Sequence, residues 1–450
     1  MANNHVRLRG NDDEGNEILL EEVAADTQTG FNGTRSGEWN VSFLKDALGG
    51  YPLICCPKTE ANRKSAGAKP WYLKRSLIAY PVVCMVIAIL FFSLVLALGI
   101  MKPWPHNERR FIRIFAENAK TLTSIAFGSC ANQAYPQPFW DTIATEFHPD
   151  IFIFAGDNIY GDYAGKEWAA ACPTGECSNL KQAYAELEKK PSFNGFRSKF
   201  PILPVWDDHD FGRNDADGTF EYKKESQTIF KHYFEIDRAS NKVDQRKERD
   251  GVYGSYHFGR GNRRVSIIVL DLRYFKSPWV KRDPKKSYLT KGEYVPSIDS
   301  SKTILGETQW LWLEEELKRE AEVCVIVSSF QMISIASGWE LWGLFPKERD
   351  RIFKLLKESK CKVSLVASGD RHVGGIYKTE SIIEVTSSSL THTMQYVTEP
   401  DNLRIGSLVE VNNFGGIVFD WDSHMVIVNL METDGKTAGN VIKSINASFG

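Results

Sequence analysis

Net charge is nearly absent from this sequence. Its 55 Lys and Arg residues are balanced by 57 Asp and Glu residues, which leaves a formal charge of -2 over 450 residues. Because a nucleic-acid binder needs an excess of basic residues, we exclude nucleic acid as a partner. Cysteine is also scarce, since 8 residues in 450 are too few for a fold held mainly by disulfides.

Three common catalytic motifs are missing as well. The sequence contains no G-x-S-x-G elbow, no Walker A loop and no Rossmann glycine fingerprint. Internal repeats and low-complexity tracts are absent from the region after residue 101. What the chain does have is an apolar content of 42%, which suits a globular protein rather than a disordered one. Its length predicts two or three folded units, or one large domain with appendages.

A single long apolar run interrupts the chain. Residues 76–101 read SLIAYPVVCMVIAILFFSLVLALGIM and contain no charged residue. The apolar core of a bilayer, about 30 Å thick, requires roughly 20 such residues in a helix. A signal peptide is the competing interpretation, but it would be shorter, nearer the N-terminus and followed by a cleavage site of small residues. The run therefore predicts one transmembrane helix.

This span sets the predicted domain organisation. Residues 1–75 have no sustained periodicity and are expected to form a disordered cytosolic tail. Residues 102–120 are expected to be a linker, and residues 121–450 a folded domain. Tethering would make the lipid bilayer a partner of this domain.

The orientation of the span follows from weaker signals. Basic residues are slightly more frequent before it, which favours a cytosolic N-terminus. The sequon at Asn446 and the closely spaced Cys172 and Cys177, which could form a disulfide, favour a lumenal or extracellular C-terminal domain. Sequons at Asn32 and Asn40 favour the reverse orientation.

Four short apolar runs in the C-terminal part suit strands that are buried on both faces. Helical patterns lie between several of them. Because ligands collect beyond the carboxyl ends of strands in α/β sheets, the residues that follow these runs are candidate ligands. The runs begin at Ser124, Ile151, Ile202 and Val363. The polar residues that follow are GSC ending at Cys130, GDNIY from Gly156, DDHD from Asp207 and SGDRH ending at His372.

Each cluster also has an ordinary structural interpretation. Cys130 alone resembles a small buried hydrophobic residue, and Gly and Asp from Gly156 onward suit a simple turn. The DDHD run from Asp207 is different, because adjacent carboxylates repel one another unless a cation or a proton relieves them. Asp370 and His372 lie on one side of an extended chain, as two ligands would, although they could instead pair with each other.

Taken together, the clusters provide ligands for more than one cation. Two metal ions about 4 Å apart can clamp a phosphoryl group and lower the pKa of a bridging water. The pattern therefore indicates a polynuclear hydrolytic site in which metal-bound hydroxide is the nucleophile. The candidate ligands are Cys130, Asp157, Tyr160, Asp207, Asp208, Asn214, Asp370 and His372.

At these residues the sequence resembles the PhoD-like family of alkaline phosphatases, within the calcineurin-like metallophosphoesterases. The resemblance covers about residues 124–419. It implies an α/β fold, a four-layer αββα sandwich of two mixed sheets with the metal site at their shared edge. The motifs that carry it include FGSC from Phe127, GDNIYGD from Gly156, WDDHD from Trp206, LDLRYF from Leu270, SGDRH from Ser368 and EVTSSSLTH from Glu384.

The resemblance also assigns roles to the ligands. It implies that Asp157 bridges the metal ions, while Cys130, Tyr160 and His372 surround a central iron-like ion. Thiolate and phenolate ligands suit Fe³⁺. FGSC stands where other calcineurin-like enzymes have Asp-x-His, which argues against a standard iron-zinc pair.

The remaining ligands would hold the neighbouring ions. The resemblance implies Asp207 or Asp208 in this role, together with Asn214 and Asp370. Carboxylate and amide oxygens suit Ca²⁺, Mg²⁺ or Mn²⁺, so Fe³⁺ with Ca²⁺ is the expected content, with Mg²⁺, Mn²⁺ or Zn²⁺ as alternatives.

Two residues are candidates for direct contact with substrate. His209 is expected beside the phosphate, where it would stabilise charge or protonate the leaving group. Arg273 is a candidate for phosphate recognition, because a guanidinium binds two oxygens at once, and its alternative role is a structural salt bridge.

These arguments predict a membrane-anchored, metal-dependent hydrolase of phosphate esters. Phosphodiester or phospholipid cleavage is an alternative on the same site. A catalytically silent, metal-stabilised receptor or scaffold is a second alternative. Outside the site, Trp310 and Leu313 recur at helical spacing and predict a helix packed on a sheet, while Cys324 and Cys361 are expected to be buried thiols.

Overall fold

The computed structural model describes residues 10–11, 17–18, 120–164, 167–239, 244–288, 290–335, 337–433 and 438–450. The chain divides into two compact units between residues 101 and 102. In the first unit, Gly10–Asn11 and Glu17–Ile18 pair as antiparallel strands. The predicted transmembrane helix over 76–101 lies outside the described residues. None of the helices that the structure does describe has the length and apolarity needed to cross a bilayer.

The second unit contains both strands and α-helices. The strands are β1 Ser124–Gly128, β2 Ile151–Ala155, β3 Tyr163–Ala164, β4 Glu167–Trp168, β5 Ile202–Val205, β6 Gly254–Phe258, β7 Val265–Val269, β8 Val280–Lys281, β9 Tyr294–Val295, β10 Ala321–Ser328, β11 Cys361–Ser368, β12 Gly374–Lys378, β13 Ile382–Ser387, β14 Asn413–Asp420, β15 Met425–Glu432 and β16 Val441–Ser448. The α-helices are α1 Phe139–Thr142, α2 Ser178–Glu188, α3 Pro191–Lys199, α4 Asp208–Phe211, α5 Lys223–Tyr233, α6 Gly306–Glu316 and α7 Pro346–Glu358.

Two six-stranded mixed sheets form the centre of this unit. The first has the order β16-β15-β14-β1-β2-β5, with β1, β2 and β5 parallel and the other neighbours antiparallel. The second has the order β12-β13-β11-β10-β7-β6, in which β13, β11, β10 and β7 are parallel. All four predicted apolar runs are strands, as β1, β2, β5 and β11. The predicted mixed α/β fold with two large sheets is confirmed.

The core explains why the strands are apolar on both faces. On β10, Val323 and Val325 face a cluster that contains residues from both sheets, including Phe127 of β1. The alternate residue Ile326 belongs to a second cluster with Trp310 of α6. Successive strand residues point to opposite faces, so a strand between two apolar layers has no polar face. The helix predicted from Trp310 and Leu313 is therefore confirmed as α6, packed on the second sheet.

Two disulfides lie in this unit. Cys172 and Cys177 form the one that the sequence suggested. Cys324 and Cys361 also form a disulfide, so the expectation that they are buried thiols is wrong. The cause is that β10 and β11 are adjacent parallel strands, which brings the two Cα atoms within 5.8 Å. Among the described residues, the one free cysteine is Cys130.

Candidate metal centre

The four predicted polar clusters meet where the chain leaves β1, β2, β5 and β11. Their ligand atoms form three overlapping groups, and within each group they lie within 4.8 Å of one another. The groups are Cys130, Asp157 and His372; Asp157, Asp208 and His209; and Asp207, Asp208 and Asp370. Asp157 and Asp208 each belong to two groups, so the predicted ligands form one continuous cluster.

Tyr160 lies at the centre of the first group. Its hydroxyl donates to Asp157 Oδ2 at 3.3 Å and lies 3.0 Å from His372 Nε2. Cys130 Sγ lies 3.5 Å from the same Asp157 oxygen. The sequence did not predict His392, whose Nε2 lies 3.3 Å from the Tyr160 hydroxyl and 3.2 Å from His372 Nε2. A thiol, a phenol, a carboxylate and two imidazoles thus share one small volume.

Several buried carboxylate oxygens at this centre accept no hydrogen bond. In the described part of the chain these are Asp157 Oδ1, Asp207 Oδ2 and Asp208 Oδ1, the last of which lies 3.6 Å from Arg273 Nη2. The three residues are at most 2% exposed. A buried carboxylate oxygen without a hydrogen-bond donor is costly, and a bound cation is the usual way in which that cost is offset. The residues present therefore fit a site for more than one metal ion.

The backbone at the predicted ligands is strained. Cys130, Asp157, Asp370 and His372 all have positive φ angles, between 48° and 72°. Residues other than glycine and asparagine rarely adopt this left-handed backbone conformation, which costs on the order of 1–3 kcal/mol for each residue. Such strain collects at functional sites, because the surrounding fold must hold it. Here four such side chains, from the turns after β1, β2 and β11, point into the same cluster.

Without bound cations, burial disfavours the ionised forms of these groups. Burial raises the pKa of the Cys130 thiol to about 12 and the pKa of Asp207 to about 6. Burial, with the nearby Cys130 and Asp208, raises the pKa of Asp157 well above its usual value even though His209 opposes the shift. Bound cations reverse such shifts, because they favour the ionised thiolate and carboxylate.

His209 is held from three sides. Its Nδ1 donates to Asp162 Oδ1 at 2.7 Å, and its Nε2 lies 4.0 Å from Asp208 Oδ2. The ring stacks on Tyr160, with centroids 4.1 Å apart, and on Trp168, with centroids 5.4 Å apart. Although burial opposes the charged form, the surrounding carboxylates raise the pKa of His209 well above its usual value. These contacts therefore fix the plane of the imidazole ring, with Nδ1 directed at Asp162.

Arg273 is fully buried, and its guanidinium holds carboxylates. Its Nε donates to Asp207 Oδ1 at 2.5 Å, and its two terminal nitrogens donate to the two oxygens of Glu340 at 2.6 and 2.7 Å. Nη1 also donates to the backbone oxygen of Ala216. This is the geometry of the structural salt bridge. Arg273 thus fixes Asp207 and Glu340, and its binding of a substrate phosphate stays a prediction.

Asn214 lies in an exposed loop at the border of the site. Its backbone N–H donates to Asp162 Oδ2 at 2.8 Å, so it supports the carboxylate that holds the histidine. The next residue, Asp215, forms a further group of nearby carboxylates with Asp208 and Glu340. Burial raises the pKa of Asp215 to about 8. Metal binding through the Asn214 amide stays a prediction.

Sequence reasoning missed the residues that support the predicted ligands. Asp162 belongs to the GDNIYGD motif, and His392 ends the TSSSLTH run, but neither follows an apolar strand directly. Glu340 lies in the apolar run WELW from Trp339, in the loop before α7 and within the region of the resemblance. The motifs could have suggested Asp162 and His392, because both are metal-type residues within segments already singled out. A carboxylate between apolar residues could likewise have suggested that Glu340 is buried, but not which cation it meets.

Comparison with known proteins agrees with this geometry. The family model described as PhoD-like phosphatase matches residues 125–413. A curated relative, alkaline phosphatase D of Bacillus subtilis (strain 168), is 23% identical over an alignment of 305 residues, and the match covers 59% of this chain and 48% of that protein. The chain thus spans about half the length of the relative.

A solved structure supports the fold. The structure described as that of PhoD matches with a TM-score of 0.55 at 17% identity, over 74% of this chain and 69% of that one. At this level of identity the similarity concerns the fold, and the chemistry has to be argued from the residues of the centre.

Proposed function

Because this chain belongs to the PhoD-like phosphatase family, we propose that it is a metal-dependent hydrolase of phosphate esters. One observation carries the proposal: buried carboxylate oxygens of Asp157, Asp207 and Asp208 have no hydrogen-bond partner among the described residues, and they lie beside a thiol, a phenol and imidazoles. Donors of this kind favour a group of cations. Clustered cations suit the transfer of a phosphoryl group, which carries negative charge on several oxygens.

The donor types favour different metals on the two sides of Asp157. When bound, such ions lower the pKa of a water molecule and offset charge on the phosphoryl oxygens. We assign Fe³⁺ to the side with the thiol and phenol, and Ca²⁺ to the carboxylate side, where Mg²⁺, Mn²⁺ or Zn²⁺ would also fit. The proposed ligands of the central ion are Cys130, Asp157, Tyr160 and His372. Those of the neighbouring ions are Asp207, Asp208 and Asp370.

His209 is the proposed proton donor. Asp162 accepts the Nδ1 hydrogen, so Nε2 is the ring atom that faces the cluster, 4.0 Å from Asp208 Oδ2. A proton on Nε2 can pass to the ester oxygen as the bond from that oxygen to phosphorus breaks. Stacking on Tyr160 keeps the ring in the required plane.

Substitution of Asp157 or His372 by Ala tests the proposal. Loss of a residue that only hydrogen-bonds to a metal ligand typically lowers activity roughly 10- to 100-fold. Each change here removes a proposed ligand itself, so turnover of p-nitrophenyl phosphate should fall by more than that. Initial rates, metal content by elemental analysis and circular dichroism of the same samples are the measurements. Asp422→Ala is the control, since Asp422 is an exposed carboxylate on a turn of the first sheet.

The outcomes separate the candidate functions. Full activity in folded Asp157→Ala or His372→Ala protein would defeat the assignment of the site. Preference of the wild type for bis(p-nitrophenyl) phosphate would favour the phosphodiesterase or phospholipid-cleaving alternative. A metal-loaded wild type that hydrolyses neither ester would be the silent receptor or scaffold.

We further propose that residues 76–101 anchor this enzyme to a bilayer, with the catalytic domain on the lumenal or extracellular side. The two disulfides support an oxidising compartment, because cytosolic thiols are kept reduced. Asn446 supports the same side, since it is an exposed sequon residue on the edge strand β16. A tethered enzyme would meet lipid-linked as well as soluble esters.

A further inference from the structure

An exposed tryptophan lies against the histidine of the proposed centre. Trp168 is on β4 and is 63% exposed. Its ring is nearly parallel to the His209 imidazole, at an interplanar angle of 19° and a centroid distance of 5.4 Å. A large apolar ring left in water beside a reaction centre is a candidate contact surface for a ligand.

The position of this ring is fixed by its neighbours. Trp168 pairs across the short hairpin with Tyr163, whose ring meets it edge-on at 5.3 Å. The backbone N–H of Ala169 donates to the backbone oxygen of Asp162 at 2.8 Å. Asp162 is also the residue whose carboxylate holds His209. The tryptophan and the histidine are therefore positioned by the same residue, so the ring needs little ordering when a ligand arrives.

A second exposed aromatic residue lies beside another histidine of the cluster, His392. Tyr135 is 44% exposed, and its ring lies 5.9 Å from that of His392. His392 in turn contacts Tyr160 and His372 at the centre. The buried part of the site is thus lined by metal-type ligands, whereas two aromatic rings border it.

The proposed chemistry relates Trp168 to a particular part of the substrate. A proton donor must lie about 2.6–3.2 Å from the oxygen that it protonates. If His209 protonates the leaving oxygen, the carbon skeleton attached to that oxygen must lie beside His209. The Trp168 ring lies 5.4 Å from the imidazole, so an aromatic group on that carbon skeleton can come within the 4.5–7 Å over which aromatic rings stack on the indole.

We propose that Trp168 contacts the leaving group and makes the site select phosphate esters of planar aromatic alcohols over those of small aliphatic alcohols. This inference rests on the proposed function of the centre and specifies its substrate class. The phosphoryl group is bound by the cluster, and the aromatic part of the alcohol stacks on the indole. Trp168 is thus a specificity-determining residue.

Kinetics of the metal-loaded full chain test this inference. The substrates are 1-naphthyl phosphate and ethyl phosphate, and the variants are Trp168→Ala, Trp168→Phe and Leu311→Ala. Trp168→Ala should lower kcat/KM about tenfold for the naphthyl ester and much less for the ethyl ester. Trp168→Phe should restore most of the loss. Leu311, an exposed apolar residue on α6, is the control and should change neither value.

Binding measurements distinguish a contact with the leaving group from an effect on catalysis. Calorimetric titration with phenylphosphonate and methylphosphonate measures affinity without turnover. Trp168→Ala should weaken phenylphosphonate about tenfold and leave methylphosphonate nearly unchanged. The difference between the two ligands depends on the aromatic ring alone, because both present the same phosphonate to the cluster.

Each contrary result has a distinct meaning. A loss on the ethyl ester at least as large as that on the naphthyl ester, together with equal losses on both phosphonates, would show that Trp168 only supports His209, and would overturn the inference. Unchanged values for Trp168→Ala would overturn it as well. If the wild type hydrolyses neither ester, the proposed function fails, and the phosphonate titration alone decides whether Trp168 recognises an aromatic group.

Discussion

Among single residues, Asp162 connects the parts of the site that handle the leaving group. Its Oδ1 accepts the His209 Nδ1 hydrogen, and its Oδ2 accepts the backbone N–H of Asn214. Both bonds are charge-assisted, and the one with His209 is buried. Such bonds contribute about 1.5–3 kcal/mol each. Loss of the negative charge should therefore affect the histidine before it affects the metal ligands.

Asp162→Asn should lower kcat for ethyl phosphate by roughly 10- to 100-fold, the equivalent of one charge-assisted hydrogen bond. The loss for p-nitrophenyl phosphate should be smaller, because p-nitrophenolate leaves without a proton. Steady-state rates on the two esters give the ratio. Asp237→Asn removes the charge from a matched, exposed Asp–His pair with His232 and should change neither rate. Equal losses on both esters would assign Asp162 to metal binding or folding instead.

At the scale of elements, the strands position the ligands only if the helices hold the strands. Trp140 of α1 is fully buried against Phe152 and Phe154 of β2, with ring centroids 5.1 and 5.6 Å away. It also contacts Phe193 and Phe196 of α3. Since β2 leads directly into Gly156 and Asp157, this aromatic cluster supports the position of Asp157.

Trp140→Ala should therefore destabilise the domain by about 3–5 kcal/mol, the usual cost of removing a large buried aromatic side chain. The midpoint of denaturant unfolding measures the change. Leu311→Ala on the exposed side of α6 should shift stability by no more than about 0.5 kcal/mol. A Trp140→Ala protein as stable as the wild type would show that α1 contributes little to holding β2.

At the scale of the whole molecule, the site depends on two sheets within one unit. Cys130, Asp157 and Asp207 follow strands of the first sheet, whereas Asp370 and His372 follow a strand of the second. Ser329, after β10 of the second sheet, donates to Asp207 at 2.6 Å and joins the two edges directly. A change in the packing of one sheet on the other would separate side chains that lie together in the proposed centre.

The orientation of the molecule in a membrane has its own test. Glycosidase treatment of the full chain expressed in a secretory cell should increase its mobility on a gel, and Asn446→Gln should abolish that shift. Asn32→Gln and Asn40→Gln should leave the shift intact, because those sequons lie on the proposed cytosolic side. A shift that only the N-terminal substitutions remove would reverse the proposed topology.

Much of the fold could be predicted because its signals are local. A run such as Ile151–Ala155 is apolar throughout, since a strand covered on both faces has no polar side. The turns after these strands contain the strained ligands Asp157 and Asp370, which stand out as polar residues directly after apolar runs. The predicted cluster follows from those two facts.

The contacts that the sequence did not predict join distant segments. The disulfide between Cys324 and Cys361 required that β10 and β11 be neighbours, which their separation of 37 residues does not reveal. The role of Arg273 depended on Glu340, which lies 67 residues away. No local pattern indicates which carboxylate will meet a given guanidinium.

The sequence by itself determined the strands, the polar residues that follow them and the resemblance to a phosphatase family. These features are local, because each apolar run and the polar motif after it are consecutive in the chain. Only the tertiary structure decided that Arg273 fixes Asp207, that His392 joins the centre and that Trp168 lies on His209. The physical reason is that burial and partnership depend on which segments come together in space, and a side chain alone does not specify its neighbours.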